Sequence, residues 1–126
     1  MIAVTFSAWK GDRYIGLAEL LVVLGGSILD LWWEVDIDEM APEPGAEALE
    51  ALTSSGRVQT LELLRRAAPD FQIIDGRLTG YVDEDSGDAL VRIAAVDSSS
   101  WDVESSFDHM LPALRERYED LMPLPT

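Results

Sequence analysis

At 126 residues with 48% apolar side chains, the chain has the size of one domain and the means to bury a real core, which excludes a disordered acidic tail. A formal net charge of −15, with only nine Lys and Arg against 24 acids, argues against ordinary binding to nucleic-acid backbones, which needs clustered bases. The absence of cysteine excludes a disulfide framework, a thiol nucleophile and a thiolate metal site.

No basic start followed by a long apolar run is visible, and the longest apolar run, Leu20–Leu24, is far too short to cross a bilayer. The expectation is a cytoplasmic protein, one globular domain over 1–126, with no membrane partner. The charge is uneven. Residues 28–56 carry eight acids and no base, and residues 82–108 carry eight acids and Arg92. Between them lies the segment with Arg57, Arg65, Arg66 and Arg77.

In chain order, Ile2–Trp9 alternates apolar and small polar residues and predicts a strand. Lys10-Gly11-Asp12 is a turn signal. Tyr14–Leu24 fits a helix ended by Gly25 or a strand of a hairpin; its Leu, Ala and Glu residues lean it to helix. Leu29–Glu39 then alternates strictly, with Leu29, Leu31, Trp33, Val35 and Ile37 on one parity and Asp30, Trp32, Glu34, Asp36 and Asp38 on the other. That pattern predicts a strand with one buried and one wet face.

Pro42 and Pro44 make Met40–Gly45 a connector. Ala46–Leu52 predicts a short helix, and Thr60 reads as the N-cap of a second over Leu61–Ala68 that turns Leu61, Leu64 and Ala68 inward. Asp75-Gly76 is the strongest hairpin signal, between strands Phe71–Ile74 and Arg77–Val82. Asp83–Asp88 is a polar turn. Ala89–Val96, apolar on both parities except at Arg92, predicts a central strand. Trp101–Ser105 predicts a last strand. Ser105 or Ser106 then caps a helix with a stripe of Phe107, Met110, Leu111, Leu114, Tyr118 and Leu121. The sum is α+β: a mostly antiparallel sheet of about five to six strands, with helices packed mainly on one face.

The candidate site is the wet face of the alternating stretch: Asp30, Trp32, Glu34, Asp36 and Asp38. Adjacent carboxylates two residues apart lie about 7 Å from each other. Each like pair repels by ~0.6 kcal/mol in water and several-fold more when partly buried. Such a row needs solvent or a positive neighbour, either a basic partner protein or the chain's own Arg65, Arg66 or Arg92. Trp32 among carboxylates is either a binding anchor or a residue covered by a neighbouring element.

Nothing completes a catalytic site. His109 is the only histidine, no strand-to-helix serine elbow exists, and Asp83–Asp88 lacks the bidentate Glu of a calcium loop. No cofactor is expected. The sequence therefore points to a small acidic non-enzymatic binding protein that docks on a basic partner. In general character it resembles the small, acidic, cysteine-free inhibitors and toxin-neutralising immunity proteins of bacteria, although no motif ties it to one such family. The alternative is a small-ligand or metal-binding module, or an enzyme, that uses carboxylates such as Glu34 and Asp36. A homo-oligomer through helices in 46–68 or 107–121 is compatible with the pattern.

Overall fold

A computed structural model describes residues 2–124. Seven strands form one sheet: β1 (Ile2–Ser7), β4 (Trp32–Met40), β5 (Val58–Gln59), β6 (Ile73–Tyr81), β7 (Ala89–Val96), β8 (Ser100–Ser105) and β9 (Met122–Pro123). Their spatial order is β5-β4-β6-β7-β8-β1-β9, and every pairing is antiparallel. A separate hairpin pairs β2 (Trp9–Lys10) with β3 (Arg13–Tyr14). The helices are α1 (Leu17–Leu24), α2 (Ala46–Glu50), α3 (Thr60–Ala67) and α4 (Met110–Arg117).

The alternation read in the sequence decides the layering. Val4 and Phe6, Trp33, Val35 and Ile37, Leu78, Val91 and Ile93, and Trp101 and Val103 all turn one way and are buried. They meet Leu17, Leu20, Leu21 and Leu24 of α1, Leu49 of α2, Leu63 of α3, and Met110 and Leu114 of α4 in one core. The residues of opposite parity are half-buried or exposed from β4 to β1, so the helices cover one face and leave the other open.

Two indoles pin the layers together. The indole N–H of Trp33 donates to the Thr60 hydroxyl at 2.8 Å, and that hydroxyl donates to the Ile28 carbonyl. The indole N–H of Trp101 donates to the Ile15 carbonyl at 2.7 Å. Each buried polar group is satisfied, so neither pays a desolvation penalty.

Several sequence expectations shift. The acidic strand begins at Trp32, because a 3-10 turn at Gly26–Ile28 carries Leu29 and Asp30 on the surface. Asp75-Gly76 is no hairpin. It lies inside the continuous β6, where the register with β4 slips between Ile37 and Met40. A Cβ on Gly76 would stand 3.2 Å from Ile37 Cα, so glycine here serves a close backbone approach at a bulge. Thr60 is the first residue of α3, and its hydroxyl serves the indole rather than the helix end. That rotates α3 so that Leu63 and Ala67 are buried and Leu61 is exposed. The first strand stops at Ser7, and the tail adds the edge strand β9.

Glu19 of α1 ties the helical layer to the end of α4. It accepts hydrogen bonds from Arg13 and from the Tyr118 hydroxyl (3.1 Å), with Arg117 at 3.7 Å. Burial alone would raise its pKa; the bonds from Arg13 and Tyr118, together with the two guanidinium charges, outweigh it and hold the carboxyl below its ordinary value. A folded pKa below the unfolded one gives stability that is present above the unfolded pKa and lost as pH falls through the folded value. Glu19→Gln is therefore expected to flatten the acid limb of a stability-versus-pH curve measured by urea unfolding. An unchanged acid limb would show that the cluster contributes nothing.

Candidate functional site

The open face of the sheet runs in cross-strand rows. One row reads Asp36, Arg77, Ala94, Asp102 and Thr5 across β4, β6, β7, β8 and β1. The next reads Glu34, Thr79, Arg92, Glu104 and Ala3. The face is thus acidic at the β4 border, basic in the middle and acidic again on β8.

Of the carboxylates expected to share a face, Glu34, Asp36 and Asp38 do share it, and all three are exposed. Asp30 is exposed in the turn before β4, outside the strand. Trp32 begins the row on the open face, half-buried between its strand neighbours Gln59 of β5 and Tyr81 of β6. The basic residues suggested as internal partners are engaged elsewhere. Arg65 and Arg66 both pair with Glu62, at 2.7 and 2.9 Å, and Arg92 pairs with Glu104 at 2.7 Å.

Sequence reasoning missed Arg57. It lies 3.5 Å above the Tyr81 ring, donates to the Asp83 carbonyl at 3.1 Å and reaches Glu34 at 3.8 Å. A guanidinium held flat on an aromatic face is a cation–π contact, worth about 0.5–1 kcal/mol where solvent reaches it. Its signal was the lone Arg just before a two-residue strand, which is too weak to read without the β5–β4 pairing. Asp36 and Asp38 make no ion pair among the described residues. Arg77 faces Asp36 across the ladder without closing to an ion pair.

β4 is nearly an edge. β5 pairs only with Trp32 and Trp33. Beyond them the Ile37 N–H donates to the Thr53 hydroxyl at 3.1 Å, from the 3-10 turn Ala51–Ser54. That contact and the exposed carboxylates blunt the strand against pairing with another chain.

Between the acidic borders, Ala3, Thr79 and Ala94 leave a shallow hollow of about 230 Å³, rimmed by Arg77, Arg92, Asp102, Glu104 and Leu124. Among the described residues, no three His, Cys, Asp or Glu side chains are grouped to hold a metal ion. His109 is exposed at the start of α4, its ring 5.8 Å from that of Phe107. The Asp83–Asp88 loop is polar turn chemistry, with the Asp83 carboxylate accepting from the backbones of Asp85 and Ser86. Among the described residues no helix is long and apolar enough to cross a membrane.

No protein-family model matches the chain, and no curated protein or solved structure matches it significantly. The geometry of the open face is what bears on function.

Proposed function

We propose that the chain is a non-enzymatic acidic binding protein that docks the β4 side of its open sheet face onto a basic partner protein, in the manner of an inhibitor or antidote. The observation that carries this reading is the exposed run Glu34, Asp36 and Asp38 at the border of a sheet face that no helix covers. An acidic border steers a basic partner and speeds encounter at low salt. Trp32 begins this row and offers the apolar anchor such interfaces use, while Asp30 lies outside it in the preceding turn.

The test uses the whole chain as bait in a host lysate at low and high salt, beside Asp36→Asn/Asp38→Asn. A basic protein retained at low salt, with affinity falling roughly tenfold or more in the double variant, is expected from two lost charge contacts. Partners held equally by both baits would reduce the row to a solvated surface.

A second reading rests on the 230 Å³ hollow, whose mixed charge suits a small zwitterionic ligand. It draws on Asp102 and Glu104 rather than Glu34 and Asp36. Thermal stabilisation by one member of a metabolite and divalent-ion panel would favour it, since a ligand binding only the native state raises its stability.

A further inference from the structure

The two cross-strand rows of the open face differ in how far their charges are already matched. In the Glu34 row, Glu34 reaches Arg57 at 3.8 Å and Arg92 pairs with Glu104 at 2.7 Å. In the Asp36 row, Asp36, Arg77 and Asp102 make no ion pair among the described residues. Arg77 is exposed and stands opposite Asp36 in the β4–β6 ladder, yet its guanidinium is not drawn onto that carboxylate. An exposed pair gains little from closing, so the separated charges cost the fold little. Ala94 follows Arg77 in the row, and with Thr79 and Ala3 it leaves the hollow of about 230 Å³ beside Arg77 and Asp102.

We propose that this row is the recognition line for the docking partner: an extended segment of a basic protein crosses the strands and presents a base, a carboxylate and a second base to Asp36, Arg77 and Asp102 in turn. The proposal rests on the docking reading above and adds that the partner carries an acid between its bases. Strand spacing sets the pattern. Neighbouring strands lie about 4.8 Å apart, so Arg77 is one step and Asp102 three steps from Asp36, about 5 and 14 Å at the level of the backbone. In an extended segment, alternate residues share a side about 6.6 Å apart, so the first, third and fifth span about 13 Å. A Lys-x-Glu-x-Lys pattern therefore matches the row. Charge disfavours the simpler occupant, a segment of bases alone. A base seated on Asp36 lies about 5 Å from Arg77, where like charges repel. A carboxylate of the partner on Arg77 offsets that repulsion, and the guanidinium fork suits both of its oxygens. The hollow gives the acidic side chain room.

The test titrates the full chain at low salt with two capped synthetic peptides of equal length and equal net charge, followed by the backbone amide shifts of β4, β6 and β8 in NMR spectra. One peptide carries Lys-Ser-Glu-Ser-Lys; the other carries its bases without the glutamate. The first should bind roughly three- to fivefold more tightly, the scale of one exposed ion pair. Arg77→Gln should abolish that preference. Arg77→Glu should reverse it and tighten binding of the peptide with bases alone, with circular dichroism checking that both variants fold. Equal binding of the two peptides to the wild type, or a preference that survives Arg77→Glu, would overturn the recognition line. If both peptides then still weaken in Asp36→Asn/Asp38→Asn, docking of a basic partner on the acidic border stands without it. Binding indifferent to that double variant would overturn both. Absence of shifts with either peptide also overturns the recognition line, and the lysate comparison then decides the docking reading alone.

Discussion

Trp33→Ala is expected to cost about 3–5 kcal/mol in urea unfolding followed by circular dichroism, the scale of emptying a buried aromatic site. A domain of this size has about 5–15 kcal/mol of stability in total, so the variant sits near the edge of folding. Trp33 is fully buried near the start of β4. Its ring tip lies 3.2 Å from where a Cβ on Gly80 would stand, so the neighbouring strand gives up a side chain to admit the indole. Collapse of the backbone into the void is resisted by pairing on both sides, with Gly80 of β6 and Val58 of β5. Trp33→Phe separates volume from the polar link. It removes the N–H, but the Thr60 hydroxyl keeps its bond to the Ile28 carbonyl, so no buried donor is stranded. Its cost should be about 1–2 kcal/mol. A Trp33→Ala loss under about 1 kcal/mol would mean that the site repacks freely, against the close packing of protein cores.

The same residue shows what the sequence could reveal. The parity of Trp33, Val35 and Ile37 against Glu34, Asp36 and Asp38 is a property of one strand, and one strand suffices to read it. Where that strand begins depends on the 3-10 turn before it. Leu29 and Asp30 keep the alternating pattern by composition alone and belong to the turn. Asp75-Gly76 misleads for a related reason. A dipeptide suited to a tight turn equally suits a bulge, and only the β4 partner distinguishes the two. The register of α3 was hidden because the Thr60 hydroxyl has two possible uses, a helix end or a distant indole, and the indole lies 27 residues earlier.

The open face required the most tertiary information. Arg77 and Arg92 each stand on the polar parity of a strand whose other parity is apolar, and that much was readable. Their placement beside Asp36 and Glu104 depends on cross-strand register over four strands. The result revises the picture of a uniform acidic ladder. The acids form one border of a face with a basic centre, and a basic partner would have to favour the β4 side. The exposed Leu61 was invisible for the opposite reason: apolar residues at helical spacing read as core until the rotation of the helix is fixed.

Gly16→Ala is expected to destabilise the fold by about 2–4 kcal/mol, the sum of an overpacking cost and a lost helix cap. Gly16 precedes α1 with φ −81° and ψ 169°, a backbone conformation open to any residue, so conformational freedom is not the reason for glycine. Space is the reason. A Cβ there would stand 2.1 Å from the Cβ and 2.4 Å from the carboxyl carbon of Asp70. Asp70 cannot withdraw without loss, because its carboxylate accepts the Glu19 backbone N–H at 3.2 Å and caps α1 from the far end of α3. An acid at that helix start is also favoured by the helix dipole. Asp70→Ala removes only the cap and should cost about 1 kcal/mol. In an Asp70→Gly background the clash disappears, so the added cost of Gly16→Ala should shrink below about 1 kcal/mol, a coupling readable from a double-mutant cycle of urea midpoints. If Gly16→Ala costs the same in both backgrounds, the close approach of Asp70 is not what requires glycine at position 16.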